Sequence, residues 1–121
     1  MANAELTLYE MNQQIMAQQP ALSKEDISAA RKTFNDFMTK ERMSHGDTYF
    51  MFLCREKYDY TVFHFKNYNL DKCWKNLIDI AQNRGRIKGI DISENGDMLE
   101  IWIEDHAYYL FAYDWGVIEI E

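Results

Sequence analysis

Hydrophobic residues recur at helical spacing through residues 1–43, and this spacing predicts two helices. The first helix begins after Thr7, because Thr7 and Glu10 match a capping box, and it ends before Pro20. Its apolar stripe consists of Leu8, Met11, Ile15 and Met16. The second helix begins after Ser23 and carries an apolar face that we expect to pack on a sheet. That face consists of Ile27, Ala30, Phe34, Phe37, Met38 and Glu41.

Residues 48–121 read mostly as strands: 48–55 is apolar on both faces, as in a central strand, and the later segments alternate between their two faces. The predicted strands are 48–55, 60–66, 86–93, 98–104, 107–113 and 117–121. One helix interrupts them at 70–83, with Asn69 as its N-cap and Gly85 as its stop. The order ααββαββββ predicts one α+β domain over residues 1–121, with an antiparallel sheet and helices packed on one face.

Short polar segments between these strands predict tight turns. Asn95-Gly96 predicts a hairpin with a type I′ turn, which needs positive φ at both central residues. The next two turns are predicted at Asp105-His106 and at Asp114-Trp115-Gly116. Residues 86–121 are therefore expected to form an antiparallel meander.

The composition fits a single cytoplasmic domain. Of the 121 residues 47% are hydrophobic, and a chain of this length can build a core without disulfides or metals. Cys54 and Cys73 are too few for a disulfide framework, so a reducing compartment is expected. The N-terminus lacks the charged and apolar regions of a signal peptide, and no apolar run is long enough to span a bilayer. We expect a bacterial cytosol or that of a phage-infected host, and no membrane association.

Charge is distributed very unevenly along the chain. The net charge is −7, but residues 1–88 sum to +2, whereas residues 89–121 hold nine acids and no Lys or Arg. Neutralising phosphates requires Lys or Arg, so direct nucleic-acid binding is disfavoured. A field of one sign attracts basic surfaces, and the expected partner is therefore a basic protein, most simply one that handles nucleic acid.

Strand alternation places part of this charge on one face together with Trp102. An exposed Trp among carboxylates is a candidate interface anchor. The predicted partner-binding residues are Asp97, Glu100, Trp102, Glu104, Asp105, Glu119 and Glu121. Alternation alone does not decide which face Tyr109, Phe111 and Tyr113 occupy. An ordinary solvated sheet face remains the competing interpretation.

Residues that could carry catalysis do not form a recognisable motif. His45, His64 and His106 lack the spacing of metal ligands, and neither cysteine has a histidine beside it in the sequence. The glycine spacing of phosphate-binding loops is absent as well. We therefore expect no enzymatic activity, no metal and no cofactor.

These observations favour a small acidic inhibitor that binds protein and acts as a nucleic-acid-mimicking decoy. Phages and mobile elements encode proteins of this type against CRISPR nucleases and restriction enzymes. One alternative is an immunity-type protein that neutralises a toxin. Another is a small-ligand domain with an aromatic pocket between sheet and helices, formed by His64, Trp74, Tyr49, Tyr60 and Tyr109. A third possibility is a homodimer formed through residues 7–18.

Overall fold

The structure of the protein, a computed structural model, describes residues 6–46, 49–64 and 69–113. Its elements in chain order are α1 Leu8–Gln18, α2 Lys24–His45, β1 Tyr49–Cys54, β2 Asp59–His64, α3 Leu70–Arg84, β3 Ile87–Ile92, β4 Leu99–Ile103 and β5 His106–Tyr113. The strands form one antiparallel sheet in the order β2-β1-β5-β4-β3. This confirms the predicted α+β fold. The strand predicted at 117–121 and the turn predicted at 114–116 lie outside the described residues. No helix within the described ranges combines the length and apolar composition that crossing a bilayer requires.

The helix ends follow the capping signals in the sequence. Thr7 and Glu10 form the predicted capping box, in which each side chain accepts from the other residue's backbone N–H. The side chains of Ser23 and Asn69 accept from the first turns of α2 and α3. Gly85 ends α3 as predicted. All three helix starts are therefore specified by local sequence.

The hydrophobic core lies between one face of the sheet and the two helices α2 and α3. Phe50, Phe52 and Cys54 point from β1 into this core, and Phe52 stacks on Tyr108 of β5 with ring centroids 5.0 Å apart. From α2 the predicted apolar face supplies Phe34, Phe37, Met38 and Glu41 as buried residues. From α3 the buried residues are Cys73, Trp74, Leu77 and Ala81. Alternation in the strands and helical spacing in α2 thus identified the core correctly.

Helix α1 lies on the opposite face of the sheet, which differs from the expectation that the helices share one face. Tyr9 stacks on Trp102 at 5.6 Å, and Trp102 points away from the core. The side chain of Gln13 donates to the carbonyl of Asp105 at 3.0 Å. Between α1 and α2, the Leu22 N–H donates to the Ile87 carbonyl on edge strand β3. The chain therefore passes around the β3 edge, and this path places α1 and α2 on opposite faces.

The meander turns form where expected, but two differ in detail. Gly96 has a φ of 76°, whereas Asn95 is not in the positive-φ region, so the predicted type I′ turn is wrong. The β3–β4 loop is wider, since the Ser93 N–H donates to the Met98 carbonyl and the Ser93 hydroxyl accepts from the Met98 N–H. The following turn is Glu104-Asp105 rather than Asp105-His106, because Ile103 pairs with His106.

Candidate functional site

The face of the sheet opposite α2 and α3 carries both carboxylates and aromatic rings. Its residues form rows across the strands, because paired residues in a sheet point to the same face. One row crosses all five described strands and consists of Asp91, Glu100, Tyr109, Leu53 and Tyr60. The register therefore decides the face of the β5 aromatic residues, which strand alternation alone did not decide. Tyr109, Phe111 and Tyr113 share the face of Glu100 and Trp102.

Trp102 is not the exposed anchor that the sequence predicted. Its side chain is only 8% exposed, because Tyr9 of α1 covers it. The indole Nε1 donates to the Glu100 carboxylate at 2.9 Å, so the hydrogen-bonding group of the ring is also occupied. The expectation of an exposed Trp102 is wrong, because α1 packs over this part of the sheet. The alternation within a strand carries no information about this contact.

Two further predicted partner-binding acids have partners within the chain. The Glu104 carboxylate accepts from the Arg86 backbone N–H at 2.8 Å and from the Arg86 guanidinium at 3.1 Å. A carboxylate oxygen of Asp105 lies 3.0 Å from Nδ1 of His106. Glu119 and Glu121 lie outside the described residues. The two segments that differ in charge along the sequence, residues 1–88 and 89–121, therefore meet in the structure, since Arg86 of the first pairs with Glu104 of the second.

Four acids on the β3–β4 hairpin have no basic partner among residues 6–46, 49–64 and 69–113, and we call them the acidic hairpin: Asp91, Glu94, Asp97 and Glu100. Within the described residues, no Lys or Arg side chain forms an ion pair with any of them. Lys40 reaches the loop, but its Nζ donates to the Gly96 carbonyl at 3.1 Å. Asp97 and Glu100 are among the predicted partner-binding residues, whereas Asp91 and Glu94 are not. The four acids recur at every third position across the hairpin loop, and this regular spacing could have indicated the other two from the sequence.

Asp91 and Glu100 stand directly opposite one another on β3 and β4. Like charges directly opposite one another on neighbouring strands destabilise a sheet. The Asp91 carboxylate accepts from the Ile92 N–H, and Glu100 accepts from Trp102, but neither contact supplies a positive charge. Folding alone does not explain this pair, and such local conflicts occur at sites that serve a function.

The five predicted pocket residues are not brought together by the structure. Trp74 lies in the core against Phe34, with ring centroids 5.2 Å apart. Tyr49 and His64 stack on each other at 4.5 Å on the opposite face, and Tyr60 is exposed on that face as well. A cavity of about 560 Å³ exists beside α1 instead, and of the five only Tyr109 lines it. Its other lining residues are Tyr9, Leu53, Arg55, Glu56, Met98 and Phe111.

The ionisable groups in the interior favour structural roles. Burial raises the pKa of the Cys54 thiol and raises that of Cys73 to about 11, so both sulfurs stay protonated at neutral pH. Arg84 binds the Asp59 carboxylate through two nitrogens at 2.7 and 3.1 Å and lowers its pKa. The Tyr108 hydroxyl donates to the same carboxylate at 2.7 Å. This network joins the end of α3 to β2 and β5. No group of three or more potential metal ligands exists within the described ranges.

The Glu104 carboxyl should titrate far below an ordinary glutamate. Hydrogen bonds from the Arg86 side chain and backbone lower its pKa from 4.5 to about 2. Because the folded-state pKa is depressed, the contribution to stability is present above pH 4.5 and is lost as the pH falls towards 2. We expect Arg86→Met to raise the pKa by about one unit or more, as measured by carboxyl carbon NMR. Glu10, whose pKa Thr7 lowers independently, is the internal control and should not move. An unchanged Glu104 midpoint in Arg86→Met would contradict the assignment.

Fold and surface together define a small α+β protein with an acidic hairpin beside an apolar sheet face. No family model matches the chain, and searches of curated proteins and of solved structures likewise find no match. The function is therefore inferred from the surface itself.

Proposed function

We propose that the protein is a non-enzymatic inhibitor that binds a basic, nucleic-acid-handling protein through its acidic hairpin. The observation that carries this proposal is the group of four carboxylates on the β3–β4 hairpin, two on the strands and two in the loop, without a basic partner in the described structure. Carboxylates form charge-assisted hydrogen bonds with Lys and Arg and can take the place of phosphates there. The described part of the chain after residue 88 adds no Lys or Arg that would weaken the field.

The opposed pair Asp91 and Glu100 supports the same proposal. Their mutual repulsion disfavours the free protein, and a cation from a partner placed between the two carboxylates would relieve it. Binding energy would then come from a contact that the free protein lacks. The proposed binding residues are thus the acidic hairpin, with Trp102 holding Glu100 in place rather than acting as an anchor.

The protein would act as a decoy, because a surface that binds nucleic acid through phosphates also accepts a row of carboxylates. An inhibitor of the anti-CRISPR or anti-restriction type fits this description, as does an immunity-type protein that covers the basic site of a nuclease toxin. Small-ligand binding is the second candidate, and the cavity beside α1 favours it.

The decisive experiment compares two variants with the same net charge. In the first variant the hairpin acids become amides: Asp91→Asn, Glu94→Gln, Asp97→Asn and Glu100→Gln. These changes keep the acceptor oxygens that bind Ile92, Ser93 and Trp102. The control variant removes four acids from the helices: Glu25→Gln, Asp26→Asn, Asp36→Asn and Asp79→Asn. Each immobilised protein is exposed to nuclease-treated bacterial lysate, and retained proteins are eluted by salt or by duplex DNA.

We expect wild type and control to retain nucleic-acid-binding proteins that both salt and duplex DNA release. The hairpin variant should bind them at least about tenfold more weakly, since charge complementarity is lost at the contact itself. Equal retention by the hairpin variant and the control would overturn the assignment of the acidic hairpin. Retained partners that duplex DNA fails to displace would overturn the decoy mechanism.

A further inference from the structure

Helix α1 packs on the sheet through a side that is only partly apolar. The inward side chains are Tyr9, Gln13 and Met16, and the first two make hydrogen bonds to the backbone of β5 and of the β4–β5 turn. The Tyr9 hydroxyl accepts from the Ala107 N–H at 3.1 Å. Burial and the neighbouring Glu56 raise the pKa of Tyr9, so its hydroxyl stays protonated. No residue of α1 is buried.

The other three residues of the predicted apolar stripe, which alone are called the stripe from here on, face solvent. Leu8, Met11 and Ile15 are 72%, 44% and 54% exposed, and their spacing places them on one side of the helix. A surface helix normally turns its apolar stripe towards the core. Here Lys88 and Gln13 hold α1 in the opposite orientation, so the stripe is available to another molecule.

A second apolar surface lies on the same side of the sheet, and we call it the open face: Met51, Leu53, Val62, Tyr109 and Phe111. All five side chains are partly exposed, because α1 crosses only the end of the sheet near the β4–β5 turn. Contiguous apolar patches of this kind mark interaction sites in soluble proteins. The cavity of about 560 Å³ between Tyr9 and Phe111 makes the surface concave.

We propose that the open face binds α1 of a second copy of this chain, so that the protein forms a two-fold symmetric dimer. The stripe and the open face lie next to each other on one side of the sheet. A two-fold axis between them can therefore place each stripe on the other copy's open face. The same contact then forms twice and covers both apolar surfaces of both copies.

The Arg55 guanidinium at the edge of the cavity favours an occupant that brings a negative charge, as α1 of a second copy does. Glu56 lies beside the Tyr9 hydroxyl, whereas Arg55 forms no ion pair with any described carboxylate. Glu10 is the one charged residue of α1, so an incoming helix would bring a negative charge towards Arg55. This inference does not rest on the proposed function: the open face adjoins the acidic hairpin, because Glu100 pairs with Tyr109, but the dimer contact uses the apolar side chains of β1, β2 and β5.

The test uses three variants of the full chain and analytical ultracentrifugation from micromolar to submillimolar protein. The stripe variant carries Met11→Glu and Ile15→Glu, and the face variant carries Leu53→Glu and Phe111→Glu. The control, Met43→Glu, changes an 85% exposed residue near the end of α2, on the other side of the sheet. Wild type and control should sediment at twice 14.5 kDa. The stripe and face variants should each dissociate at least about tenfold more readily.

Mixing the stripe and face variants should restore association. A mixed dimer keeps one intact contact, between the unaltered α1 of the face variant and the unaltered open face of the stripe variant. If wild type dimerises but the mixed stripe and face variants do not associate, although circular dichroism shows that both are folded, the helix-on-sheet arrangement is overturned. A wild-type monomer at all concentrations would overturn the dimer and leave the open face to a different protein or a small ligand.

A measurement on the unaltered protein keeps the test valid if the face variant does not fold. In a mixture of isotope-labelled and unlabelled protein, filtered NOE spectra report contacts between copies only. We expect cross-peaks from the Met11 and Ile15 methyl groups to the rings of Tyr109 and Phe111. Intermolecular cross-peaks among α1 methyl groups alone would contradict the arrangement. Failure of either test would leave the capture experiment on the acidic hairpin unaffected.

Discussion

Replacing Phe52 by Ala will destabilise the fold by about 3–5 kcal/mol, because the change opens a cavity in the centre of the core. Phe52 is fully buried on β1 and stacks on Tyr108 at 5.0 Å. Its neighbour on β5, Leu110, is fully buried as well, so the surrounding side chains cannot relax far into the space. Domains of this size are stable by only about 5–15 kcal/mol. The variant should therefore lose a large part of its stability.

Urea denaturation followed by circular dichroism measures this loss as a lower midpoint with an unchanged slope. The matched control is Leu53→Ala at the next position. Leu53 points to the opposite face and is only partly buried, so its truncation should cost clearly less. Equal losses for the two variants would mean that the two faces of β1 are buried alike and would contradict the location of the core.

Local rules predicted most of the fold, since each helix start carries its own signal. Thr7, Ser23 and Asn69 are side chains that accept from the turn they precede, and this chemistry depends on neighbours in the sequence alone. Strand alternation worked for the same reason. Phe50, Phe52 and Cys54 occupy one face because successive side chains in a strand point to opposite sides.

The candidate site was less predictable, because its properties depend on contacts between distant residues. Trp102 alternates correctly with Ile101 and Ile103, yet Tyr9, 93 positions earlier in the chain, covers it. Glu104 was visible as an acid in the sequence, but its pairing with Arg86 depends on the pairing of β3 with β4, which brings the two residues together at the end opposite the connecting loop. Charge sums over segments cannot separate carboxylates that have a basic partner from those that lack one.

Lys88 is the residue that keeps α1 on the sheet, although the sequence offers no sign of this role. Its side chain is buried, and the Nζ ammonium donates to the carbonyls of Met16, Ala17 and Gln19 at 3.2, 3.4 and 2.7 Å. The last carbonyls of a helix lack partners within it and form the negative end of its dipole. The buried Lys88 ammonium donates hydrogen bonds to these carbonyls and also places a positive charge at the negative end of the dipole.

Lys88→Met should therefore release α1 while the core stays folded. The Ala17 and Gln19 carbonyls would lose this donor, and the Met16 carbonyl would keep only the Gln19 N–H; water can replace the ammonium only if the end of α1 leaves the sheet. Helix α1 has no buried residue and covers Trp102 on the face opposite the core, so its release leaves the core between the sheet, α2 and α3 packed. We expect amide hydrogen exchange in α1 to accelerate at least about tenfold, with α2 and α3 unchanged. The control Lys75→Met changes an exposed lysine that pairs with Asp71 on α3.

Release of α1 has a second consequence, since Tyr9 would leave Trp102. The indole N–H signal of Trp102 should shift in NMR spectra, and its ring should become accessible to a soluble quencher, with Trp102→Phe in the same background to assign the signal. The variant would thus create the exposed aromatic ring among carboxylates that strand alternation alone implies. If α1 keeps its protection in Lys88→Met, the helix is held by Tyr9 and Gln13, and the ammonium contributes only locally. If protection is lost in α2 and α3 together with α1, then α1 is part of the cooperative core.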